Sequence, residues 1–422
     1  MQSQSLDFNH KTEKYVLSLF IVLIFLNFVK PLADYYLGIS QRIFTISQMI
    51  LLLIFFFVVS KKLVKFKFLE FSFLLLIFLR FLTEIVIDYS NLPQAAFSLF
   101  KFIVIIWGIK YMALRKFSFL FYKRLEKTIW IYFYITIVIS IIQAFNIPPF
   151  GVVFSKFGGN ILSGNALGVV RTTGGIGGTV IDYAGFVIMY YIIMVSNYKI
   201  KLTHFFALII SSLLVFSRVV FLIMFIGFLY KFVFYLFQKG KILKKILILS
   251  FALSLLILFF SNQQLQQINA FWASDESRQK SDTERFEQWK NAKSDMAGLP
   301  LLAGVSMGKN TGVPTDGRVV VSDGYFQGFA YDFGLLGLIV YLCYLLYIIF
   351  SVSRNKKVAF LVTLLLFTTL IINSGIDKPS NIIILFAMFA MLKMNKEYIS
   401  CMAIDEFGYR GTTFFNNLSE LH

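Results

Sequence analysis

Apolar runs of about 15–20 residues recur along this chain from end to end, and no other feature constrains its fold so tightly. Each run is long enough to cross a hydrocarbon core. There a backbone has to satisfy its own hydrogen bonds, and helices do so within one segment. Hydrophobic residues make up 58% of the 422 and charged residues only 15%, and mean hydropathy is +0.75. These values lie well outside soluble norms. The expected fold class is an all-α polytopic membrane protein with about twelve transmembrane helices, a single membrane domain over 1–422. Span centres fall near Ile24, Leu52, Phe78, Ile105, Ile137, Ile188, Leu208, Phe225, Leu253, Val340, Leu365 and Leu385. No early apolar segment precedes a small-residue cleavage site, so no removable signal peptide is expected.

Basic residues order these spans. Lys61, Lys62, Lys65 and Lys67 share one connector; Arg115, Lys116, Lys123, Arg124 and Lys127 share another. Lys199 with Lys201, the group Lys239, Lys241, Lys244 and Lys245, and then Arg354, Lys356 and Lys357 fill the other alternate connectors. All lie on one side, the cytoplasmic side by the positive-inside rule. Both termini are then cytoplasmic, with 395–422 a cytoplasmic tail. The formal charge of +18 follows from this layout, not from a soluble basic face, so no nucleic-acid partner is expected. Membrane lipids are expected partners, through anionic headgroups at the inner leaflet.

Two larger external regions remain. The first, 148–178, reads PPFGVVFSKFGGNILSGNALGVVRTTGGIGG, too glycine-rich for regular helix and suited to close backbone approach. The second, 261–330, is a large extracytoplasmic loop between spans 9 and 10, and a loop of that size beside a membrane usually carries chemistry. Its first half suits a surface helix capped at Asp282 or Thr283, with Phe286 and Trp289 on one face. Its second half is broken by Gly298, Pro300, Gly304, Gly308, Gly312, Pro314 and Gly317. The phenylalanines, 51 in number, read as lipid-facing bulk. Cys343 falls in a span and Cys401 in the tail, so no disulfide crosses the outer loop. The outer loops hold neither cysteine nor histidine and no Asp-x-Asp pair, so neither a zinc nor a magnesium site is expected, nor any cofactor.

Arg171 sits in the glycine-rich loop. It suits either a snorkelling membrane-edge arginine or a bidentate anion clamp, with the pairs Gly174–Gly175 and Gly177–Gly178 offering backbone N–H groups to the same anion. Arg218, after Ser217, lies in a tight outer turn between very apolar stretches, where a lone arginine is costly and marks a candidate site. Arg285 lies one turn before Trp289. Three arginines near one interface suit one phosphate-rich headgroup, with Arg278 and Arg318 as substitutes. Asp323, close to membrane re-entry in VSDGYFQ, and Asp182, eleven residues after Arg171, are candidate proton acceptors or partners. The bland alternative for Asp323 is a turn before Gly324. Glu84 and Asp88 end the third span and suit the lining of the same cavity. Asp275, Glu276, Glu284 and Glu287 read as a solvated helix face.

The chain resembles the O-antigen polymerase and ligase superfamily, the Wzy and WaaL families of bacterial inner membranes. The resemblance covers the span layout, with a large loop before the tenth span in a GT-C-like arrangement. It is carried locally by Ser217–Arg218, by Arg285, Trp289, Pro300, Gly304 and Gly308, and by Asp323-Gly-Tyr325-Phe-Gln with Phe333-Gly-Leu-Leu-Gly at the loop exit. Where ligases show His-Asn, this chain has Ser322–Asp323, which favours the polymerase. The resemblance implies a metal-independent glycosyltransferase. It would move glycan from undecaprenyl diphosphate to a sugar hydroxyl of a second lipid-linked repeat unit, alongside a flippase and a chain-length regulator. Arg218, Arg285, Asp323 and Asp182 are then the expected catalytic residues; Arg171, Gly174, Gly175, Trp289 and Tyr325 are the expected substrate-binding ones. The alternatives are a ligase delivering polymer to lipid A core, and a flippase, which would carry its charges along a central cavity.

Overall fold

Segments apolar on every face can be buried on every face inside a bundle, and two helices among the described residues are so buried over most of their length. In the computed structural model the described residues are 2–59, 67–145, 147, 172–176, 180–196, 202–215, 217–236, 287–309, 325–372 and 379–406. Among them all regular structure is helical. The helices are α1 (Gln2–Leu37), α2 (Gln41–Val59), α3 (Phe68–Ile87), α4 (Leu92–Leu114), α5 (Phe119–Ala144), α6 (Val180–Ser196), α7 (Leu202–Val215), α8 (Arg218–Leu236), a short α9 (Leu299–Ala303), α10 (Tyr325–Val352), α11 (Lys356–Ile372) and α12 (Pro379–Glu406). Residues 287–295 form a further helical run before α9.

α6 and α12 are the inner pair. Every described side chain from Asp182 to Ser196, and from Asn381 to Leu392, is buried. α12 touches α1, α2, α4, α5, α6 and α10. Its approach to α4 depends on Gly108, where an added Cβ would run into the Phe386 ring; small residues permit such approaches between membrane helices. An aromatic cluster joins α3, α4 and α10: Phe102 stands 5.2 Å edge-on to Phe329 and to Phe333, and Phe73 stacks 5.4 Å from Tyr341. Phe73, Phe102, Phe133, Phe186, Phe329 and Phe333 are fully buried. These phenylalanines are core, whereas Phe25, Phe78, Phe225 and Phe350, among others, are exposed as lipid-facing bulk requires.

Cross-contacts give the bundle two consistent ends. At one, Ser118 caps α5 and bonds Glu13 of α1. Lys67 meets Tyr347, and Lys393 donates to the carbonyls of Leu114 and Arg115 at 2.8 and 2.9 Å. Lys396 donates to Ser351 O, and Tyr230 to Lys357 O. This is the basic end. At the other, the loop end, Lys30 of α1 bonds Thr45 of α2, Asn381 of α12 bonds the Asp182 carbonyl of α6, and Asn91, in the turn between α3 and α4, donates to Ser306 and to the Met307 carbonyl. Successive long helices run alternately between the two ends. The chain leaves α8 at the basic end and is next described at the loop end, at 287.

Among the described residues, four helices are long and apolar enough to cross a membrane: Thr12–Asp34, Tyr89–Leu114, Phe119–Ala144 and Tyr325–Val352. Shorter apolar helices cover Ile43–Ile54, Asp182–Ser196, Thr203–Val215 and Val219–Tyr230. Every span centre read from the sequence falls inside a helix except Leu253, which lies outside the described residues. α10 begins at Tyr325, within the segment expected as outer loop, and α12 continues through Glu406 into the segment expected as tail.

Candidate functional site

The loop end gathers two groups of polar contacts. The first is built on the end of α5. Gln143 there donates through Nε2 to Thr173 Oγ1 at 3.0 Å and accepts at Oε1 from Thr173 N at 2.9 Å. The last carbonyls of a helix lack partners within it, and in α7 that of Leu214 accepts from both Thr172 N and Thr172 Oγ1 at 3.2 Å. Residues 172–176, all buried, are thereby pinned between the ends of α5 and α7. Thr172 directly follows Arg171, and Arg218 opens α8 four positions after Leu214.

Ile176 N closes a tight turn onto Thr173 O, with positive φ at both Gly174 (64°) and Gly175 (68°). Glycine adopts that conformation without steric penalty, and a Cβ at Gly174 would lie 2.5 Å from the Tyr183 ring. The expected anion-binding pair therefore has a packing role beside the first turn of α6. Asp182 sits in that turn, nearly buried, where a carboxylate complements the partial positive charge of a helix N-terminus. Its carbonyl accepts from Asn381 Nδ2 at 2.8 Å.

The second group docks the outer loop. Glu84, at the end of α3, is 1% exposed. Its Oε1 accepts from Asn91 Nδ2 at 2.8 Å and Ser306 Oγ at 2.6 Å. Its Oε2 accepts from Met307 N at 3.1 Å and stands 2.9 Å from Arg80 Nη2, a close ion pair rather than an aligned hydrogen bond. Asp332 of α10, also buried, accepts at Oδ2 from Gly308 N at 3.1 Å, and its carbonyl from Arg80 Nε at 3.3 Å. Val305 N bonds Tyr331 O at 2.7 Å. Glu84 thus does not line an open cavity: it is spent on holding residues 305–308 to the helix ends. Asp88, in the same turn as Asn91, has its carboxyl held below the usual range chiefly by the Ser90 hydroxyl donating to it.

Of the other expected site residues, Tyr325 is buried, its ring 5.8 Å from Phe329 and 6.1 Å from Tyr341. Trp289 lies on the 287–295 run and is 42% exposed. Glu287 is exposed, as a solvated face requires. Arg171, Arg285, Asp323, Arg278 and Arg318 lie outside the described residues. Among the described residues no group of three or more His, Cys, Asp or Glu is arranged to hold a metal ion.

Sequence reasoning passed over Gln143, Arg80, Asn91, Ser306 and Asp332. Arg80 and Glu84 did leave a signal, opposite charges four residues apart in an otherwise apolar span. Asp332, alone in YDFGLLGLIV, left the same kind of signal. Gln143 and Ser306 left none, since nothing local distinguishes an anchoring amide or hydroxyl from a solvated one. Set against protein-family models, curated proteins and solved structures, the chain matches none of them.

Proposed function

We propose that this chain is a metal-independent polymerase of lipid-linked oligosaccharide repeat units in a bacterial inner membrane. Its basic end faces the cytoplasm, as the positive-inside rule directs, and its loop end faces outward. In this reading the eleven long helices among the described residues are spans, and the twelfth is the one expected from the sequence near Leu253. The donor is a glycan on undecaprenyl diphosphate and the acceptor a sugar hydroxyl of a second lipid-linked unit.

In the reaction the bond between anomeric carbon and diphosphate oxygen breaks as the acceptor oxygen bonds that carbon. The acceptor proton passes to a carboxylate, Asp323 or Asp182, and the electron pair leaves with undecaprenyl diphosphate. Fixed guanidinium groups stabilise the charge developing on that leaving group without a metal. The acceptor needs orientation more than a strong base.

One observation supports this reading: Thr172 N and Oγ1 both donate to the Leu214 carbonyl at the end of α7, so the residue after Arg171 meets, at the loop end, the helix end that lies four positions before Arg218 in sequence.

Deleting the gene tests the reaction type. Single repeat units are expected to accumulate on the lipid carrier or core, because a polymerase joins units and does not make them. Long polymer left unattached would point to the ligase, and units trapped on the cytoplasmic face to a flippase.

A further inference from the structure

The reading above leaves unexplained why the membrane core keeps Arg80, Glu84 and Asp332 buried at its loop end. Taking such charges out of water is costly, and a hydrophobic contact of similar size would dock a loop at least as stably. What the charged arrangement supplies is a single geometry. Both Glu84 oxygens face donors only: Asn91 and Ser306 on one, Met307 N and Arg80 on the other. Backbone contacts close the same seam. Gly304 and Gly334 have φ of 90° and 69°, and a Cβ on either would meet the opposing backbone at Asp332 or Leu302. A Cβ at Gly308 would fall 2.5 Å from Gln94 C. Residues 299–309 therefore form a strap with one register on α3, α4 and α10.

We propose that Glu84 is a positioning residue whose carboxylate latches the 299–309 strap of the outer loop to the bundle. Its catalytic consequence rests on the polymerase reading; the latch itself does not. Glu84→Gln is the informative change. Its volume is nearly the same, yet its NH2 has to face donors wherever it points, and Arg80 loses its counter-charge.

Two measurements on the full-length protein, with Cys343→Ser and Cys401→Ser as background, test the proposal. Met307→Cys reports strap lift, because Met307 lies within the strap and is 0% exposed. A polar maleimide is expected to label it about tenfold faster or more once Glu84→Gln is added, the scale of one lost buried charged partner. Unchanged labelling overturns the latch, whether or not the protein polymerises anything. In the second measurement, Glu84→Gln is combined with Asn91→Cys and Ser306→Cys, whose native side chains meet at 3.1 Å. Polymer formation is expected to fall in Glu84→Gln, return when the two cysteines are oxidised and fall again on reduction, while the protein stays monodisperse. Faster labelling with wild-type polymer formation overturns the positioning role. A wild-type protein that forms no polymer contradicts the function proposed above, and the labelling result then decides the latch alone.

Discussion

Single glycines set how closely the outer loop and α10 approach each other. The sequence pattern marked Gly304, Gly308 and the Phe333-Gly-Leu-Leu-Gly run as motif positions without giving a reason. The reason is contact: Gly334 interrupts the helical φ/ψ of α10 and lets the Leu302 carbonyl approach. Gly334→Ala is expected to destabilise the protein by about 1–3 kcal/mol, the usual scale for a strained backbone, or more if the carbonyl cannot withdraw. Thermal unfolding in detergent checks this; an unchanged melting temperature would mean that the seam opens without cost. The carboxylates were only half legible. Glu84 was visible as a charge at a span end, but its partners Ser306 and Met307 are more than 220 positions away, and no local pattern reports such a contact.

At the scale of elements, hydrophobic runs located the helices well because length and apolarity act locally. Their neighbours were not readable, since α6 and α12 look like any other apolar segment until packing makes them the inner pair. The hairpin of α3 and α4 shows what the pattern hides. Besides the loop-end latch it holds a buried ion pair, Glu70 with Lys110, at the basic end, with side chains 0% and 1% exposed. Glu70 Oε2 also accepts from Lys67 N at 3.0 Å at the start of α3. Removing one partner of a buried pair leaves an uncompensated charge, so Lys110→Met is expected to cost about 3–5 kcal/mol, whereas Glu70→Gln with Lys110→Met together is expected to cost far less. Denaturant titration of the single and double variants decides this. A double-variant loss equal to the sum of the losses in Lys110→Met and Glu70→Gln alone would show that the two residues act independently.

At the scale of the whole molecule, the alternation of helices and the asymmetry of lysines predict sidedness. Asn291→Cys, exposed on the outer-loop helix, is expected to react with an impermeant maleimide in intact cells, and Lys356→Cys, exposed at the basic end, only after lysis. The reverse pattern would invert the protein and remove its proposed site from the outer face. Ser306, a natural choice for such labelling from sequence, is a poor reporter because Glu84 buries it. The proposed reaction has Arg171, Arg218 and Arg285 stabilise a diphosphate leaving group. The direct measurement is polymer formation by purified variants in liposomes supplied with lipid-linked repeat units and a metal chelator. Arg171→Ala, Arg218→Ala and Arg285→Ala are each expected to lose about 2–4 kcal/mol of transition-state stabilisation, roughly a hundred-fold or more in rate, with the largest losses at Arg218 and Arg285. Lysine at each position is expected to restore only part of the rate, because a point charge lacks the bidentate fork. Full polymer formation by all three alanine variants would contradict the account.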